Sequence, residues 1–242
     1  DAETGQPLAL IEGSSLTAIR TAAGAGAATD LLAREDSRIG LVFGAGVQAR
    51  TAIRAISAAR DLEAIYIVGR NPNKVRELIA DTRGMDNVPE DIRIVENTPL
   101  TISHAVSEAD IIYCATTSRT PLFNGDDVKL GTHVNAVGTF TPDAREVDTE
   151  FIRRCNKIVV DAYSGALAEA GDLLIPMEQG ALKEADIYAE LGEISGGKIA
   201  GRTNPLEITF FKSVGNAVQD AAMAQAILER AEALNLGMSV EL

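Results

Sequence analysis

The run Ile39-Gly-Leu-Val-Phe43, followed at once by Gly44-Ala-Gly-Val-Gln-Ala49, constrains this chain more than any other stretch. An apolar segment of strand length enters a G-x-G-x-x-A turn, and Ala49, Ile53, Ile56 and Ala59 then recur at three- and four-residue spacings, as on one face of a helix. In such a strand–turn–helix unit each small residue answers its own steric demand. Gly44 makes the tight turn, Gly46 lets the backbone approach a pyrophosphate, and Ala49 lets helix and strand pack closely. The helix start offers unpaired N–H groups to the phosphates. A glycine-rich turn alone is a weak signal; set between a strand and a helix it reads as a dinucleotide-binding unit.

Ala64-Ile-Tyr-Ile-Val68 reads as the next parallel strand and ends in Gly69-Arg70-Asn71-Pro72-Asn73-Lys74. An NAD-preferring site usually closes this strand with an acid that takes the ribose 2′-OH. Here Arg70 stands about where that acid would be. A guanidinium there can hold a 2′-phosphate bidentately, and Lys74, one helical turn on, adds charge. The expected cofactor is therefore NADP(H), with NAD(H) as the alternative.

Further strand-like runs at Ile92–Val95, Asp110–Ala115, His133–Val137 and Lys157–Asp161 alternate with helical periodicity at Lys74–Thr82, Ile102–Glu108 and Val147–Arg154. This alternation predicts an α/β fold, a doubly wound parallel sheet of the Rossmann type with six strands, over residues 36–175. The flanks differ. Pro7–Glu12 reads as a lone strand, and Gly13-Ser-Ser-Leu-Thr17 offers N-caps to a small-residue helix reaching Arg34. The tail from Pro205 to Leu236 reads as one long helix with Ile208, Phe211, Val214 and Val218 on one face. Residues 1–35 and 176–242 are thus expected to form a second, split α+β domain. One strand is too little for such a domain, so it is expected to be incomplete in this chain.

Composition narrows the classes of function. A net charge of −13 lacks the basic stripe that nucleic acid requires, so no nucleic-acid partner is expected. No apolar run approaches a membrane span and the start shows no signal-peptide pattern, so the expectation is a cytoplasmic protein away from membranes. Two cysteines without a C-x-x-C, and His104 and His133 far apart in sequence, give no metal site. Cys114 reads as a buried strand residue, Cys155 as a helical one, and both histidines as structural.

With Leu16-Thr-Ala-Ile-Arg-Thr-Ala-Ala23, Gly44-Ala-Gly-Val-Gln-Ala-Arg50, Asn135-Ala-Val-Gly138 and Phe211-Lys-Ser-Val-Gly215 in order, the whole chain resembles the ornithine cyclodeaminase/mu-crystallin family. Members carry a substantial N-terminal stretch ahead of the point where this chain opens at Asp1. The resemblance implies a homodimer whose split domain forms the interface and the substrate pocket. It implies that Arg20 holds a substrate carboxylate and that Glu169 lies near substrate. Ala45, Val47 and Gln48 match the cofactor turn, while Arg70, Asn71 and Lys74 match adenosine-phosphate positions. Thr116, Thr117, Val137 and Ser213 match contacts nearer the nicotinamide.

One departure is informative. Cyclodeaminases and the related alanine dehydrogenases resemble each other in an acid/base Asp two residues after Asn-Ala-Val-Gly, and here that position is Phe140. Together with Arg70, this points to the ketimine and cyclic-imine reductase branch. The expected reaction is NADPH-dependent hydride transfer to the C=N bond of a small cyclic imine carboxylate of pyrroline- or piperideine-2-carboxylate type, with Asp172 or Glu169 protonating the nitrogen. The alternatives are NAD-dependent ornithine cyclodeamination or alanine dehydrogenation, and a non-enzymatic protein that binds NADPH or a small ligand.

Overall fold

The computed structural model describes residues 1–238; the last four residues of the tail lie outside it. One sheet of eight strands organises the molecule. In chain order these are β1 (Ile39–Phe43), β2 (Ala64–Val68), β3 (Asp91–Val95), β4 (Ile111–Cys114), β5 (His133–Ala136), β6 (Lys157–Val160), β7 (Ala189–Glu190) and β8 (Thr209–Lys212). Their order across the sheet is β3-β2-β1-β4-β5-β8-β6-β7, and every neighbouring pair is parallel. All strand carboxyl ends therefore share one rim. The chain reverses its direction of winding between β1 and β4, the switch point at which doubly wound sheets bind ligands.

The helices are α1 (Gly13–Leu32), α2 (Val47–Ala59), α3 (Pro72–Thr82), α4 (Pro99–Glu108), α5 (Thr149–Arg154), α6 (Tyr163–Glu169), α7 (Gly171–Glu178), α8 (Leu191–Ser195) and α9 (Ala217–Ala233). Proline opens α3 and α4, where its missing N–H costs nothing. Helices cover both faces, so the central strands are buried on both sides and read as nearly continuous apolar runs. Leu41 and Phe43 enter one core while Val42 enters the other. On the first side Phe43, Phe123, Phe151 and Phe210 pack in a chain with centroids 5.6, 6.0 and 5.3 Å apart, the first pair stacked and the other two edge to face. On the other side the small residues of α1 let it approach α2, and a Cβ added at Gly26 would lie 3.4 Å from that of Ala55. Among the described residues no helix is long and apolar enough to cross a membrane.

The six expected strands form within a residue or two of their predicted limits, but two more join them. Strand β7 and strand β8 carry the sheet well past residue 175, so the predicted boundary does not coincide with the end of the sheet. The tail is not one helix from Pro205: Thr209–Lys212 is a fully buried central strand, and α9 starts only at Ala217. Ile208, Phe211 and Val214 fit a helical spacing by accident, because a short strand buried on both faces has no period that separates it from a helix segment. Pro7–Glu12 forms no strand and pairs with none among the described residues; Leu8 and Leu10 are exposed. The N-cap of α1 is Glu12, whose carboxylate accepts from the Ser14 and Ser15 amides at 2.8 and 2.7 Å, rather than the expected hydroxyls.

Candidate active site

The turn after β1 has the geometry that its sequence requires. Gly44 adopts φ +116°, and a Cβ there would overlap the Ala115 carbonyl at the end of β4. A Cβ at Gly46 would meet nothing within 4 Å, because this residue faces an open cleft. Gly46 is also the N-cap of α2 and supplies no side chain, so the first-turn amides of that helix are left to a ligand. Ala49, in the first turn of α2, is completely buried. This glycine-floored, amide-lined opening fits a dinucleotide pyrophosphate.

The cleft measures about 610 Å³ and lies at the β1/β4 switch. Gly44, Ala45 and Gly46 form one wall, with Arg70 and Asn71 from the loop after β2, Lys74 from the first turn of α3, and Thr116 and Thr117 from the loop after β4. The Asn71 side chain caps α3 by accepting from the Asn73 and Lys74 amides at 2.9 and 3.4 Å. Arg70 and Lys74 are exposed, and among the described residues neither side chain has a hydrogen-bond or ion-pair partner. Val47 and Gln48 occupy the first turn of α2 and do not line this cleft, Val47 being exposed. Asn97, Ser118, Pro121 and Leu122 also line the cleft. Asn97 and Ser118 sit just beyond the carboxyl ends of β3 and β4, a position that the switch-point rule could have flagged without any motif.

Beneath the rim, buried carboxylates hold the loops. Glu146 accepts from the Thr116 amide at 2.7 Å and its hydroxyl at 2.8 Å through one oxygen, and from the Gly138 amide at 2.8 Å through the other. Burial raises its pKa above the ordinary carboxylate range, against the opposing pull of the Lys212 ammonium. Gly138 is packed so closely on Thr116 that a Cβ would overlap its backbone. Asp161 likewise accepts from the Ser213 hydroxyl and from the amides of Val214 and Gly215, at 2.8, 3.0 and 2.8 Å. Ser213 and Val137 thus lie at the carboxyl ends of the adjacent strands β8 and β5, outside the cleft walls. Glu146, Asp161 and Lys212 were missed by sequence reasoning, because each acts through partners distant in the chain.

Asp172 needs correction as a proton donor. It is completely buried, accepts from the Glu146 and Val147 amides and the Thr139 hydroxyl, and lies 2.7 Å from the Lys212 ammonium. With its oxygens occupied and no opening to the cleft, it is a brace rather than an acid. Glu169 ends α6 and is exposed, with no hydrogen-bond partner among the described residues. Phe140 projects outward, 60% exposed. Arg20 lies on α1 with its side chain 12% exposed, its Nε 2.9 Å from Asp220 of α9 and its terminal nitrogens against Gly215. Gly215 follows β8, so Arg20 sits at the same rim as the cleft.

Three comparisons bear on this site. The family model of the ornithine cyclodeaminase/mu-crystallin family matches residues 1–235. A Δ1-pyrroline-2-carboxylate reductase of Bacillus cereus is 40% identical over 241 residues, spanning 100% of this chain and 72% of that protein. An alanine dehydrogenase of Archaeoglobus fulgidus is 31% identical over 99% of this chain and 71% of its own. The solved structure of Thermococcus litoralis Δ1-pyrroline-2-carboxylate reductase, in complex with NADH and L-proline, superposes with a TM-score of 0.92 at 42% identity. It covers 99% of this chain, which spans 72% of that one. An archaeal alanine dehydrogenase dimer with bound NAD gives a TM-score of 0.87 at 30% identity, covering 99% and 72% of the two chains. Its sequence and its eight-stranded Rossmann-type sheet both show that the chain belongs to the ornithine cyclodeaminase/mu-crystallin family.

Proposed function

We propose that the protein is a nicotinamide-dependent reductase that acts on the C=N bond of a small cyclic imine carboxylate of pyrroline-2-carboxylate type. The observation that carries this reading is the amide-lined cleft at the β1/β4 switch, in a chain 42% identical to a reductase solved with NADH and L-proline. Bound there, the dinucleotide would supply a hydride to the carbon of the protonated imine, whose nitrogen already carries the proton that completes the cyclic amino acid.

The protein's share of the work is placement. The Gly44–Gly46 turn and the start of α2 hold the pyrophosphate, and the Thr116 loop, tied to Gly138 through Glu146, fixes the nicotinamide half. Arg20 takes the substrate carboxylate. A protonated iminium already carries its proton, so no acid is required at position 140 or 172; Glu169, exposed at the end of α6, lies near the substrate in this reading. Arg70 and Lys74, unpaired at the cleft mouth, favour NADPH over NADH. The protein works as a homodimer.

Oxidation of NADPH and of NADH by the full-length protein, followed with pyrroline-2-carboxylate and with piperideine-2-carboxylate, tests this reading. Turnover that prefers NADPH is the expected result. Turnover with NADH alone would overturn the cofactor preference. Absence of turnover on both imines, with ammonia released from ornithine under NAD, would overturn the reductase reading.

A further inference from the structure

The Arg20 guanidinium is held from two sides, by residues outside the dinucleotide cleft. On one side Asp220, from the first turn of α9, lies 2.9 Å from Nε. The Nε–H does not point along that line, so the contact is an ion pair rather than a linear hydrogen bond. On the other side is Gly215, at φ +106°, where a Cβ would lie 3.2 Å from Nη2 and 3.5 Å from Nη1. That turn is itself fixed by Asp161, which binds the Ser213 hydroxyl and the Val214 and Gly215 amides. Among the described residues the two terminal nitrogens have no ion-pair or hydrogen-bond partner.

An arginine binds a carboxylate best end-on, through two parallel N–H···O bonds from its Nη pair or from one Nη with Nε. An anion at Nε blocks the second geometry and leaves the first open. An arginine with no such anion would pay rotamer entropy to find its pose whenever a ligand arrives. Asp220 is 44% exposed, so its carboxylate stays hydrated and costs the fold little.

We propose that Asp220 is a positioning residue. It holds the Arg20 guanidinium by its Nε edge, against the Gly215 turn, so that the Nη fork faces the substrate and accepts a planar carboxylate end-on. This rests on the reading that Arg20 binds the substrate carboxylate, and it assigns the orientation of that contact to a residue on a different helix. A glycine at 215 is part of the same device, because a side chain there would press on the fork.

A double-substitution cycle distinguishes this role from a general structural one. Asp220→Asn keeps the shape and removes the charge. In the purified protein it is expected to raise KM for pyrroline-2-carboxylate, and the dissociation constant of L-proline measured by calorimetry, by roughly tenfold. The value of kcat and the dissociation constant of NADPH should stay within about twofold. Asp220→Glu should recover most of the loss. In an Arg20→Lys background, where no guanidinium remains to be oriented, Asp220→Asn should add nothing. Equal losses in both backgrounds, or parallel losses of NADPH binding and melting temperature, would overturn the proposal. L-proline binding that ignores Arg20→Lys would overturn it as well. Arg20- and Asp220-dependent L-proline binding without imine turnover would sustain the positioning role while removing the reductase reading.

Discussion

Lys212 Nζ, at the carboxyl end of β8, lies 2.7 Å from Asp172 Oδ2, in the first turn of α7, with both side chains completely buried. The ammonium also donates to the Thr139 carbonyl at 2.7 Å and its hydroxyl at 3.3 Å, while the carboxylate takes two backbone amides. The pair joins β8, the loop after β5 and the start of α7. Removing one partner leaves a charge stranded in the core, which costs far more than the pair contributes. Lys212→Met and Asp172→Leu should each lower unfolding free energy by about 3–5 kcal/mol in urea titration, and the double variant should lose clearly less than the sum of the two, because each single variant strands a charge and the double strands none. Strictly additive losses would contradict this account.

The hydroxyl of Tyr113, in the fully buried strand β4, has no hydrogen-bond partner among the described residues. Burial and the Glu146 charge both push its pKa upward, so it stays protonated and unsatisfied. Tyr113→Phe should stabilise the protein by about 1 kcal/mol, because it removes a buried polar group that folding strips of water. A lower melting temperature in that variant would refute the prediction.

His133 is buried between the Thr209 hydroxyl at 2.9 Å and the Asn135 amide oxygen at 3.2 Å. Desolvation, helped by the nearby guanidinium groups of Arg202 and Arg60, lowers its pKa from 6.5 to about 3. A lowered histidine pKa means that the unfolded chain takes up the proton first as the solution is acidified. The stability this residue contributes is therefore complete above pH 6.5 and is lost as pH falls towards 3. Its share of the slope is about 1.4 kcal/mol per pH unit in that window. His133→Gln should flatten the acid limb of the stability profile by that amount, measured as urea midpoints between pH 4 and 7; an unchanged slope would rule the histidine out.

Arg70 lines the mouth of the cleft beside Lys74, its side chain without an ion-pair or hydrogen-bond partner among the described residues, at about the position where an NAD-preferring site carries an acid. Arg70→Asp should shift the ratio of kcat/KM for NADPH over NADH towards NADH by about 1–3 kcal/mol, the range of one charge-assisted contact. An unaltered ratio would make Arg70 a solvated surface charge.

The parts of this protein that sequence alone determined are those whose physics is local. Gly44, Gly46 and Ala49 announce themselves because a turn, a close approach and a helix–strand packing contact each act within six residues. The first six strands show themselves by apolar runs between helical periods, and Arg70 by its offset from the end of β2. Tertiary structure decided what depends on distant partners. The strand β8 was hidden because Thr-Phe-Phe-Lys is buried on both faces and its neighbourhood fits a helical spacing, while the lysine it carries is made tolerable in the core by Asp172, forty residues earlier in the chain, and by Thr139. The same logic turned Asp172 from a candidate acid into a brace. It also set Glu146 under Thr116 and Gly138, and brought Asp220 to Arg20 across 200 residues. A motif records what a short stretch of backbone must do; the state of a buried charge is set by whichever group the fold brings beside it.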